Sequence, residues 1–131
     1  MDIKKDLLLP HIQEADLIGF FQANYFPSTK WHVFLGPFSA FMTRVCYVAV
    51  TNQGIHFHKL TMLGKPDTYE FFNFSSIRAI KIGKGSLYSP VQFLFTNGDT
   101  LLLQAQQVSF GKSVALDDQT RDFLLVKYPQ Q

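Results

Sequence analysis

The chain alternates between short apolar runs and tight polar punctuation. FPSTK (26–30), LGPF (35–38), TNQG (51–54), LGKPD (63–67), GKGS (83–86), TNGD (96–99) and FGKS (110–113) interrupt it at short intervals. Such spacing predicts antiparallel strands joined by turns, not strands alternating with helices. VQFLFTNGDTLLLQA is the clearest hairpin. With a three-residue loop at 97–99, Phe93, Phe95, Leu101 and Leu103 share one face, and Gln92, Thr96, Thr100 and Gln104 share the other with Leu94 and Leu102. A two-residue Asn97-Gly98 turn would pair Phe95 with Thr100 and mix the faces, so the first register is expected. TRVCYVAVTNQGIHFHK predicts a second hairpin, with Gly54 expected to supply a positive φ at no steric cost. There Ile55 and Phe57 take one face and His56 and His58 the other. YEFFNFSSIRAIKIG reads as one further strand. Its Ile80 and Ile82 share a face while Ile77 is out of phase, which predicts a bend near Arg78.

The two ends read differently. In ALDDQTRDFLLVKY, Asp117 or Asp118 is an N-cap, and Thr120, Phe123, Leu124 and Lys127 form one helical stripe. Acids at its start and a lysine near its end match the helix dipole, so a helix of about ten residues is expected within 117–128. Residues 1–16 read as a short helical or loop segment. Residues 16–26 fit either a helix or a first strand, with a strand favoured from Phe20. The domain proper is then 17–131, mainly β, with about seven strands and one C-terminal helix.

Composition narrows the function. At 131 residues the chain fits one domain, and an apolar fraction of 47% with fourteen Phe argues for a real core. A net charge of +2 is too small to imply a nucleic-acid partner. Between Arg44 and Lys112, seven Lys or Arg face three acids, a mild basic bias that suits an anionic partner. A single cysteine, Cys46, forms no internal disulfide, so a reducing compartment is expected. In MDIKKDLLLPHIQ the apolar run is shorter than a signal peptide needs. No stretch approaches the roughly 18–20 apolar residues of a membrane span. The expected location is cytoplasmic, with membrane association at most peripheral.

Three stretches carry a family resemblance: YVAVTNQGIHF (47–57), YEFFNFSSIRAIKIGKG (69–85) and PVQFLFTNGDTLLLQAQ (90–106). Together with the terminal helix, the chain resembles the pleckstrin-homology (PH)-like superfold, most closely the small bacterial PH-like domains related to GRAM domains. The resemblance implies a partly open antiparallel barrel with the helix capping one end. It also implies a core filled by the protein's own side chains, so that partners bind at loops or strand edges. Phosphoinositide-binding PH domains place basic residues on a K-x(n)-K/R-x-R pattern around the loop joining the first two strands. Here Lys30 and Arg44 match the first two positions, but Cys46 stands at the third, which argues against phosphoinositide binding.

Candidate chemistry is sparse. His56 and His58 share a strand face, but zinc wants a third and fourth ligand and only Cys46 stands near. The expectation is two solvated outer-face histidines and no metal. GKS at 111–113 lacks the upstream glycine of a phosphate loop, with Gln106 in its place. Ser109-Phe-Gly-Lys112 stands without the companion motifs of a serine acylating enzyme. The acids fall singly or at helix caps, so neither catalytic residues nor a cofactor are expected. The most apolar stretch is WHVFLGPFSAFM (31–42), with nine apolar residues in twelve. If exposed it is an interface, with Trp31, Phe34, Phe38 and Phe41 as candidate contacts and Lys30, Arg44, Lys81 and Lys84 as candidate anion contacts; if folded back it is a lid. The leading expectation is a non-catalytic binding module that joins a protein partner or a second copy of itself. A peripheral membrane module comes second. An intracellular carrier of a small ligand comes last, because it would need more strands and no terminal helix.

Overall fold

Strand β6 (Tyr88–Phe95) alternates without a break, Ser89, Val91, Phe93 and Phe95 buried and the residues between them more exposed. That period of two puts one face of the strand against a core. The same logic runs through a computed structural model that describes residues 3–25, 44–60, 65–83, 88–107 and 114–129. Its other strands are β1 (Leu17–Tyr25), β2 (Arg44–Thr51), β3 (Gly54–Leu60), β4 (Pro66–Asn73), β5 (Ile77–Ile82) and β7 (Thr100–Gln106). Among the described residues they form one sheet in the order β4-β3-β2-β1-β7-β6-β5, antiparallel throughout. The fold is mainly β, as expected.

The sheet rolls on itself. Phe57 of β3 meets Phe93 of β6 edge-on at 5.3 Å, although β2, β1 and β7 lie between them in the sheet. Phe72 of β4 lies 4.8 Å from Phe95. The rolled inner face holds the main core, including Phe21, Val48, Val50, Ile55, Ile80, Val91 and Leu103. Helix α1 (Asp118–Lys127) closes over it, burying Leu124 to 1% exposure, while Phe123 is only half-buried. Asp117 is the N-cap, its Oδ1 accepting from the Thr120 amide at 2.8 Å. At the far end Tyr128 donates to the Phe74 and Ile77 carbonyls at 3.1 and 3.0 Å, tying the helix to the β4–β5 connection.

Several expectations need correction. Residues 69–85 are not one strand. β4 and β5 lie at opposite ends of the sheet, joined by a 3-10 turn at Phe74–Ser76. No Gly or Pro marks this break; Asn73 makes it, its Oδ1 accepting from Ser75 Oγ at 2.5 Å and Ser76 Oγ at 3.2 Å. The bend near Arg78 is present as a register shift between Ile77 and Ala79, which brings Ile77 and Ile80 both into the core. The faces of the β6–β7 hairpin are as expected, but its loop is Thr96–Gly98, because Phe93 pairs with Leu101 and the Phe95 amide donates to the Asp99 carbonyl. Shifting the pairing by two residues preserves both faces, so polarity alone could not choose between the registers. Gly98 takes the left-handed conformation, φ 93°. Gly54 does not: a Cβ there would lie 2.6 Å from the Asn73 Cα, so β4 crosses too closely for a side chain. β1 begins at Leu17 rather than Phe20.

The N-terminal segment is a single π-type turn, Ile3–Leu8, followed by a 3-10 turn, Glu14–Asp16. It lies on the outer face of the sheet and builds two small clusters there: Leu7 with Tyr47 and Leu60, and Leu8 and Ile12 with Ala49. The histidines are therefore not solvated. His56 pairs across the ladder with Ala49 and His58 with Tyr47, on the outer face as expected, yet they are 7% and 1% exposed because the segment covers them. Cys46 pairs with Lys59 and belongs to the inner core, so it does not share the histidines' face.

Candidate functional site

The end strand β5 reads Ile-Arg-Ala-Ile-Lys-Ile, and the bulge at Arg78 changes its repeat from two to three. Ile77 and Ile80 turn inward and leave Arg78 and Lys81 exposed. Across from them, the last turn of α1 ends in Lys127, where a cation offsets the partial negative charge of the helix C-terminus. Lys127 Nζ stands 4.4 Å above the Phe74 ring, a contact that fixes the side chain over the β4–β5 connection. Tyr128 follows, its hydroxyl held by two carbonyls, and burial pushes its phenol above the usual range.

Together Arg78, Ala79, Ile80, Lys81, Lys127, Tyr128 and Pro129 line an open groove of about 650 Å³. No acid is among the lining residues. The ion pairs among the described residues, Lys4–Glu14 and Lys59–Glu70, involve none of the three cations. The arrangement brings three cations together with apolar neighbours, a combination that can hold an anion.

Of the anion contacts expected from sequence, Lys81 lies in this groove. Arg44 opens β2, with β1, β7 and β6 between it and β5 in the order of the sheet. Lys30 and Lys84, and the apolar candidates Trp31, Phe34, Phe38 and Phe41, lie outside the described residues. Arg78 and Lys127 escaped sequence reasoning. The out-of-phase Ile77 was the available signal for Arg78, since a bulge there exposes its neighbour; nothing local points to Lys127.

A second polar cluster lies on the outer face. His56 Nδ1 is 2.6 Å from Tyr69 Oη, and its Nε2 is 3.1 Å from Thr51 Oγ1. The Thr51 hydroxyl donates to the Gly54 carbonyl at 3.4 Å and accepts from the Gln53 amide at 3.3 Å. That leaves it one acceptor site, which fits the neutral Nε2–H tautomer of His56 with Tyr69 donating to Nδ1. His11 stacks on Tyr69 at 4.1 Å, and its ring centre is 5.6 Å from that of His58. Burial, then the charge of His11, holds His56 below the usual histidine range; the same causes, with His56 added, bring His58 down to about 4. Among the described residues no three His, Cys, Asp or Glu side chains come together as metal ligands.

Among known proteins, no family model matches the chain and no curated protein matches it.

Proposed function

We propose that the chain is a non-catalytic binding module of PH-like type that docks an acidic, extended segment of a protein partner in the groove between β5 and the end of α1. The carrying observation is the convergence of Arg78, Lys81 and Lys127, without a lining acid, beside an end strand of the sheet. Three cations converging on one groove favour an acidic partner by charge. The PH-like assignment is supported by a sheet in which each hairpin follows the last, β1 pairs with β7, and a terminal helix packs over the inner face.

The test is a nuclear magnetic resonance titration with a peptide of alternating Glu and Thr. Shifts should map to Arg78, Lys81 and Lys127 and fade with added salt. Exposed cations contribute at most about 1 kcal/mol each, so changing all three to Ala should weaken binding by up to about a hundredfold. Shifts mapping elsewhere, or unchanged affinity in the triple variant, overturn the reading. Sedimentation with anionic vesicles that depends on the same three residues would move it to a membrane surface.

A further inference from the structure

The covered face beneath the N-terminal segment is built as a separable layer. Leu7, Leu8 and Ile12 belong to the two outer clusters and to none of the main core. The backbone hydrogen bonds of Leu9, His11, Ile12 and Asp16 all close within the segment, and among the described residues apolar side chains and the His11–Tyr69 stack hold it against the sheet. Under it lies His58 with its Nε2 buried and without a hydrogen-bond partner among the described residues. Beside His58 stands His56, whose two ring nitrogens are already committed to Thr51 and Tyr69.

We propose that residues 3–16 form an acid-released strap, closed over His56 and His58 while these are neutral and lifted from the sheet when they take up protons. Two physical conflicts drive the release. A proton on His58 Nε2 is a charged donor sealed from water with nothing to accept it. A proton on His56 Nδ1 sets donor against donor until the Tyr69 hydroxyl turns away. Among the described residues no carboxylate forms an ion pair with either imidazole. From the segment comes His11, itself basic; from β2, Tyr47, which pairs with His58; from β4, Tyr69. Asp16 lines a small cavity of about 210 Å³ with His11 and His56, while Lys5, Asp6 and Asp67 are exposed and Lys4 pairs with Glu14. Lifting the strap hydrates both imidazoles and leaves the main core closed on the opposite face.

The sign follows from linkage. Histidine free of the fold titrates near 6.5 and His58 under the strap near 4, so the open form binds more protons as pH falls through this interval. Across it the open-to-closed ratio should rise by about two orders of magnitude. Methyl resonances of Leu8 and Ile12, followed from pH 8 to pH 4, read the strap, and those of Val48 and Val91 read the core. Strap signals should move to their solvent-exposed positions while core signals stay native. His58→Gln should shift release to lower pH, and His56→Gln with His58→Gln should remove it. The proposal is overturned if strap signals hold to pH 4, if strap and core are lost at one midpoint, or if a folded double variant releases with its parent. Because the parent's titration is decisive by itself, a variant that fails to fold does not protect the idea.

Discussion

The buried side chain of Thr120 rests on the backbone of Gly19: a Cβ at position 19 would lie 3.1 Å from the Thr120 Cβ and closer still to its hydroxyl. Helix α1 thus sits on β1 at the one position where β1 has no side chain. Gly19→Ala should cost about 1–3 kcal/mol by overpacking, read by denaturant unfolding. Thr120 Oγ1 has no hydrogen-bond partner among the described residues, so Thr120→Ala frees the space without breaking a bond. The double variant should recover part of the loss, a coupling of about 1–2 kcal/mol. Strict additivity would mean that the helix does not depend on this contact.

Within the helix, Leu124 is sealed in the core and Phe123 is half-exposed. Leu124→Ala should cost about 2–5 kcal/mol, and Phe123→Ala less than the 3–5 typical of a fully buried Phe. Thermal unfolding of both variants would show the order, and a larger loss for Phe123→Ala would contradict the packing. Asp117→Ala should remove the cap for about 1 kcal/mol, with Asp117→Asn close to the parent.

The Cys46 thiol, 1% exposed, is pushed up to about 12 by burial, against a slight opposing pull from Lys59. The folded form therefore keeps the proton while the unfolded chain loses it above pH 9. Stability should fall as pH rises from about 9 toward 12, at up to about 1.4 kcal/mol per pH unit. Cys46→Ala should flatten that slope in urea melts taken at several pH values. In the parent at neutral pH, a disulfide reagent should modify Cys46 only as fast as the fold opens.

The two surface readings separate cleanly. Phe38→Asp with Phe41→Asp should leave the affinity for an acidic peptide unchanged, whereas Arg78→Ala with Lys81→Ala should lower it by up to about thirtyfold. If instead the Phe variants alone lose binding, or turn an oligomer into a monomer by light scattering, the apolar 31–42 segment is the interface.

Much of this architecture could be read from residues close together in sequence. Phe93, Phe95 and Leu103 follow period two, Ile77 falls out of phase at a real bulge, and Asp117 caps the helix that its neighbours predict. What could not be read depends on remote packing. His56 and His58 lie on the outer face as their alternation says, but their burial is imposed by Leu7, Leu8 and Ile12, whose local pattern has no clear period. The β4–β5 break was hidden because Asn73 with Ser75 and Ser76 turns the chain without Gly or Pro. The basic groove was half legible. Lys81 stood out by charge, but its meeting with Lys127 requires the sheet to roll and the helix to dock across it.

The β1–β7 pairing also fixes an order of assembly. Ala23 pairs with Ala105 and Tyr25 with Leu103, about eighty residues later. A chain emerging from the ribosome can form β1 to β4 as successive hairpins, since each pairs with the next. It cannot complete the sheet until β7 has been made, and the loop-closure entropy of that contact is large. Until then Phe57 waits for Phe93 and Phe72 for Phe95, so a half-made sheet presents an aromatic face to its surroundings. Synthesis, more than the finished fold, is when this protein is most exposed to aggregation.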